Sequence, residues 1–118
     1  MIPTRIQRCR IKGWKIPENS VAITRGTKWG NPFKVGESLA AVPIRVSNHW
    51  DLTEEQIEGG VITQAIAVSL YRTWLHWHYT GSIIMEEAKQ QLKDKNLACF
   101  CKIGDPCHGD ILLEISNS

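Results

Sequence analysis

The sequence predicts one α/β domain over residues 1–118, a small Rossmann-like sheet with flanking helices. Three observations predict it. Short apolar, partly β-branched runs stand early in the chain and again near its end. A long helical pattern over 61–79 separates them. The late run, Leu97–Lys102, leads directly into a helix start. Two or three strands, two helices, a strand and a helix suit a small layered α/β sheet. The length of 118 residues is that of one domain with a real core. A hydrophobic content of 42% excludes a disordered chain. The net charge of +2 is too mild to argue for nucleic acid by itself. No run of 18 apolar residues is present, and Met1–Arg5 has no apolar leader core, so the expected location is cytoplasmic, away from membranes.

The elements follow in order. Ile6–Ile11 alternates weakly and reads as an opening strand, with Cys9 a core residue. Alternation there puts Arg8, Arg10 and Lys12 on one face, read as a solvated edge strand guarded by charge. Gly13–Pro17 is a turn or extended loop. Val21–Arg25 reads as a second strand and runs into Gly26-Thr27-Lys28-Trp29-Gly30-Asn31-Pro32-Phe33. The stretch 34–60 reads as an insertion or lid, with Val42–Val46 a short edge strand. Thr53-Glu54-Glu55-Gln56 has the form of a capping box, so a short helix follows and Gly59-Gly60 stops it. Val61–Tyr79 is the main helix, with Ile62, Ile66, Leu70, Thr73 and Trp77 on its apolar stripe. Thr80-Gly81 closes it, and Ser82 caps Ile83–Leu92. The final helix, Pro106–Ser116, packs through Ile111, Leu112 and Ile115.

Two stretches carry chemistry. Leu97–Glu114 holds three of the four cysteines and one of the four histidines within the ten residues from Cys99 to His108. Cys99 and Cys101 are two apart on a strand and share a face. Asp105 suits an N-cap and Pro106 the first helical position, which puts Cys107 and His108 in the first turn. A thiol there ionises more easily. Gly109 would let a ligand approach the backbone. Cys99, Cys101, Cys107 and His108 form a Cys₃His set that suits zinc, although an adjacent pair on a helix diverges by about 100°. The same residues also suit a nucleotide or anion pocket at a helix N-terminus. There Cys107, His108 and Asp110 are the catalytic candidates, Asp110 being three residues from Cys107 and on its face.

The second stretch is the loop after Val21–Arg25. Arg25 and Lys28 suit a phosphate or carboxylate. Trp29 or Phe33 can stack on a base or ring, and Gly30 and Asn31 complete the ligand-binding candidates. The plainer reading is an Asn-Pro turn with Trp29 folded onto the core. If the crossover sets Leu97–Lys102 parallel to Val21–Arg25, both stretches leave the carboxyl edge of the sheet and converge on one crevice.

Lys28-Trp29-Gly30-Asn31-Pro32-Phe33, Tyr71-Arg72-x-Trp74-Leu75, Cys99-Phe100-Cys101 and Cys107-His108-Gly109-Asp110 together resemble a small phage and bacterial family. It is known as the domain of unknown function numbered 4326. The resemblance covers nearly the whole chain, with 34–60 longer than in the family pattern. It implies a Rossmann-like single domain and carries no activity. The Cys-His pair is also similar to that of another uncharacterised Rossmann-like family ending in C-H-R.

Two functions are expected from these residues. One is an enzyme or binding protein for a nucleotide, nucleoside or phosphorylated small molecule. The other is a zinc-stapled, non-enzymatic module for a protein or nucleic acid, with nucleic acid the less favoured partner.

Overall fold

The computed structural model describes residues 3–24, 26–39 and 52–117. Three strands, β1 (Arg5–Gln7), β2 (Ser20–Ala22) and β3 (Asn96–Cys99), form a parallel sheet in the order β1-β3-β2. Four helices complete the described chain: α1 (Glu54–Gly59), α2 (Gln64–Trp77), α3 (Tyr79–Gln91) and α4 (His108–Ser116). The centre of the sheet is the late apolar strand, whose Leu97 and Ala98 are fully buried. Leu97 pairs with Arg5 on one side and Val21 on the other. The expected parallel pairing of the Cys strand with the Val21 strand is present.

The strands are shorter than their sequence runs. Each pairing continues by one bond, Arg8 N–H to the Cys99 carbonyl at 2.8 Å and Ile23 N–H to the Ala98 carbonyl at 2.9 Å, and then the chains diverge. Cys9 therefore lies past the end of β1 and is exposed, not in the core as its apolar character suggested. Because all three strands are parallel, the segments after Gln7, Ala22 and Cys99 leave from one edge. That edge collects Arg8 and Arg10, Thr24, and the Cys99–Cys101 turn.

α4 lies against β1 and β3 and is contacted in turn by α2 and α3. Ile111, Leu112 and Ile115 are its buried aliphatic residues, as the spacing predicts. They join Ile23, Trp29, Tyr71, Leu75 and Leu97 in the larger of two core clusters. The smaller one gathers Phe33, Leu39, Ile62, Ile66 and Leu70, and Trp74 packs against both. No helix among the described residues is long and apolar enough to cross a membrane.

The helix ends show where local signals won and lost. Thr53 forms the full capping box with Gln56, and Gly60 closes α1 with φ of 68°. α2 begins three residues later than the apolar pattern, because Thr63 caps it by accepting from Ile66 N–H at 3.2 Å. Trp77 does not join the stripe; it is 62% exposed. Thr80-Gly81 does not close α2. The break is one residue, His78, whose Nδ1 accepts from Thr80 N–H at 3.2 Å, and α3 starts at Tyr79. Gly81 sits inside α3 because a Cβ there would collide with the Trp74 carbonyl. Ser82 is thus no cap; its hydroxyl donates to the His78 carbonyl at 2.9 Å.

Of the stretch 34–60, both flanks are tied to the body. Ser38 bridges Val61, and Ile62 exchanges bonds of 2.8 Å with Gly36 and Glu37. The expected strand Val42–Val46 and Arg25 lie outside the described residues.

Candidate functional site

Three local devices bring the sulfurs together. Cys99 is the last residue of β3, and Cys101 follows after one residue. Gly104, at φ of 97°, turns the chain back so that Pro106 and Cys107 approach from the other side. Cys107 is then the N-cap of α4, accepting from Gly109 N–H at 3.4 Å. The expected cap, Asp105, is exposed instead, and Pro106 precedes the cap instead of opening the helix. Gln64 of α2 secures this turn by donating to the Pro106 carbonyl at 2.6 Å.

The result is a cluster of three thiols. Cys99 and Cys101 Sγ are 3.6 Å apart, and all three sulfurs lie within 4.8 Å of one another. Four tetrahedral ligands at a zinc–sulfur distance of about 2.3 Å would stand about 3.8 Å apart. The cluster could therefore hold a metal ion with little movement. Arg5 closes its outer side, donating to the Cys101 carbonyl at 2.6 Å and to the Cys99 carbonyl at 3.4 Å.

His108 stands beside this group and not in it. Its Nε2 lies 2.7 Å from the Ile23 carbonyl. A carbonyl can only accept, so Nε2 carries the proton, and in the neutral ring Nδ1 is the acceptor. Nδ1 is 3.9 Å from Cys107 Sγ. The edge of the ring is further held against Tyr71, with centroids 5.3 Å apart. Tyr71 was not among the expected site residues. Its sequence signals are its place in the Tyr71-Arg72-x-Trp74-Leu75 motif and an aromatic ring whose polar end must find a partner, here the Trp29 carbonyl at 2.9 Å. Burial, and then the nearby Cys107, push its hydroxyl well above its ordinary range.

The three thiols titrate as one set. The hydrogen bond from Cys107 pulls Cys99 down to about 5, against the opposing effect of burial. The same bond pushes Cys107 up, and burial adds to the effect. Burial also raises Cys101. The easily ionised thiol is thus Cys99, not the helix-terminal Cys107. Near the cap, Cys107 acts as the donor to a neighbouring thiolate, and that outweighs the one amide it accepts from.

The three cysteines and His108 line a cleft of about 430 Å³. Arg10, Thr24, Phe33, Gln64 and Phe100 are among its other walls. Thr24, Gln64 and Phe100 were not expected at a site, whereas Phe33 was an alternative to Trp29 for stacking a ring and Arg10 belonged to the basic run. Phe33 ends the Trp-Gly-Asn-Pro-Phe run, and Phe100 separates the two strand cysteines, so both were visible as neighbours of a motif.

The expected ligand-binding loop behaves differently. Asn31 lines the cleft, but its amide bonds the Ala67 carbonyl at 3.0 Å and the Phe33 N–H at 2.9 Å. Trp29 is 5% exposed and belongs to the core, the plainer of its two readings. Gly30 closes a turn onto the Thr27 carbonyl at 3.1 Å and does not line the cleft. Lys28 points to α3, bonded to Glu87 at 2.7 Å and Gln91 at 2.8 Å. Asp110 is exposed and is not part of the cleft wall. Gly109 opens no space for a ligand, because a Cβ there would stand 2.7 Å from Ile23 Cδ1 and 3.1 Å from Arg5 Cδ.

No curated protein and no solved structure matches the chain. A family model does, described as "Domain of unknown function (DUF4326)", over residues 6–118. That span takes in all of the sheet but Arg5, the cleft and all of the cysteines, and it establishes that the chain belongs to the DUF4326 family.

Proposed function

We propose that the cleft is a small-molecule site built on a zinc ion held by Cys99, Cys101 and Cys107. One observation carries the reading: three sulfurs at metal-ligand spacing stand together on the wall of an open cleft. A structural zinc is closed by four protein ligands, whereas a zinc that works on a ligand keeps one position open. Here three sulfurs form the group, and the free side of that group is the cleft. The soft ligand set favours zinc over the hard cations. This favours a site of the enzyme type over the rival of a zinc-stapled, non-enzymatic module.

Within that site His108 has a supporting role. Anchored on Ile23, it presents an acceptor nitrogen beside Cys107 Sγ, so it could take the proton that Cys107 would give up on binding a metal as thiolate. A metal-free alternative exists, with Cys107 and His108 as nucleophile and base. The 3.9 Å approach of the two atoms favours it. The thiol cluster weighs against it, since Cys107 is the thiol held most firmly protonated. The cleft volume suits a ligand of nucleoside size, and we take a nucleoside-type or phosphorylated small molecule as the ligand.

The test is elemental analysis and a thiol count on protein purified without chelator or affinity metal. We expect one zinc per chain and protection of the three clustered thiols, with Cys9 reactive. Cys99→Ser should weaken cadmium binding by more than about 100-fold, beyond what removing an outer partner of a metal ligand costs. Absence of metal, no cadmium–thiolate absorption and three freely reactive cluster thiols would overturn the zinc site and leave the Cys107–His108 pair.

A further inference from the structure

The cleft has a cationic rim that no carboxylate answers among the described residues. The fourteen residues Pro3–Ile16 hold Arg5, Arg8, Arg10, Lys12 and Lys15 and no acidic residue. Arg5 opens β1, and Arg8 and Arg10 follow its carboxyl end, beside the thiol loop. Arg5 is spent on the Cys99 and Cys101 carbonyls. Arg8 and Arg10 both lie against the Phe100 ring, their guanidinium carbons 4.8 and 4.4 Å from its centroid. Two like charges on one ring repel, and among the described residues neither has an acidic partner. The ion pairs there involve Lys28, Arg72 and Lys89 instead. Arg8 donates to Thr24 Oγ1 at 3.0 Å, while its buried Nε finds no acceptor among the described residues. Among the described residues no Asp or Glu lines the cleft.

We propose that this rim is an anion seat. Arg10 contacts a phosphate or carboxylate of the ligand. Arg8 fixes Thr24 and adds its charge, and the ligand's ring lies on the apolar lining that includes Phe33 and Phe100. The inference rests on the cleft being a ligand site and moves charge recognition away from the Lys28–Asn31 loop. It follows from the geometry of the edge. Stacking on Phe100 uses the face of the Arg10 guanidinium and leaves its N–H edge to a planar anion. Thr24 accepts from Arg8, so its own hydroxyl proton is available to the same anion. The three elements of the rim come from β1, β2 and β3, and they meet at the sheet edge where ligands of open parallel sheets bind. The ligand class is an anionic small molecule with a flat ring, of which a nucleoside monophosphate is the natural probe.

The experiment is a nuclear magnetic resonance titration of the full, metal-loaded chain, following arginine Nε–H signals. The probes are adenosine 5′-monophosphate, adenosine, inorganic phosphate and a short oligonucleotide. We expect the monophosphate and phosphate to shift the Arg10 and Arg8 signals, and adenosine to leave them in place. Arg10→Gln, at an exposed position, should keep the fold and the cadmium–thiolate absorption. It should lose about tenfold or more in affinity for the monophosphate. The seat is overturned if neither anion moves the Arg10 signal, if R10Q binds the monophosphate as the parent does, or if only the oligonucleotide acts, which would make the rim a nucleic-acid contact. Loss of cadmium binding in the parent itself would instead overturn the metal reading, and the arginine signals would judge the seat separately.

Discussion

Two stretches of this chain stand out by composition, Lys28–Phe33 and Cys99–His108, and both reach the same cleft. They contribute opposite things. In the first, polar and aromatic groups are consumed by the fold: Trp29 fills the core, Asn31 brackets two backbone groups, and Lys28 is tied to α3. In the second, the sulfurs find chiefly one another, on an open wall. The difference shows that a conspicuous side chain marks a site only when the fold leaves its chemistry unspent. Loop residues whose donors and acceptors are already paired hold the site's shape; clustered thiols supply its reactivity.

The sharpest way to break that contrast is through the thiols. Cys99 is held at about 5 by its hydrogen bond from Cys107, while an unperturbed thiol ionises near about 8.5. A lowered acid group stabilises the fold above its unfolded value, and that contribution is lost as pH falls through the folded one. Metal-free protein should therefore carry one thiolate per chain at neutral pH and lose it as pH falls through about 5. Ultraviolet thiolate absorbance, followed against pH, reads this directly. If no thiolate is seen until the pH nears the ordinary thiol range, the sulfurs do not form one titrating set.

Trp29→Ala should have the largest effect in the other stretch, and it should be purely structural. Trp29 is buried beside Tyr71 and Leu75, and its carbonyl takes the Tyr71 hydroxyl. Truncating a buried Trp costs about 3–5 kcal/mol, checked by urea unfolding. The fraction that stays folded should bind cadmium as the parent does. Lost cadmium binding in folded W29A would mean that this loop belongs to the reactive half after all.

How much of this was legible follows from where each signal lives. The thiol strand, the apolar face of α4 and the α1 capping box rest on local pattern, and the parallel pairing with the Val21 strand follows from the handedness of the crossover. The α2–α3 junction was misread because Thr-Gly is a stop signal locally. Only the close crossing at the Trp74 carbonyl shows that Gly81 is there for space. Gly109 was misread for the same reason, its missing Cβ being filled by Ile23 and Arg5 from far along the chain. The ionisation order of the cysteines was illegible because it depends on which thiol donates to which, and helix position alone gives the opposite answer. The cationic rim was visible as a run of charge. Its place at the cleft appeared only when the sheet order put β1 next to β3.

The two remaining predictions separate bracket from ornament within the Lys28–Phe33 loop. Asn31→Ala removes the donor to the Ala67 carbonyl and the acceptor for Phe33 N–H. It should cost about 1–3 kcal/mol, because buried backbone groups are left without partners. Phe33 lines the cleft and is held by that acceptor, so N31A should also weaken monophosphate binding in proportion to the disorder it gives Phe33. Lys28→Ala should do almost nothing. Its ion pair with Glu87 is solvent-exposed, and pairs of that kind contribute about 0–1 kcal/mol, an amount that added salt screens further. The amino group also lies 4.6 Å from the Trp29 ring, and Lys28 is not among the cleft-lining residues. A K28A chain that melts near the parent and binds the monophosphate with unchanged affinity fits an anion seat at Arg10. A K28A chain that loses the monophosphate while R10Q retains it would return charge recognition to the loop and reverse the division of labour between the two stretches.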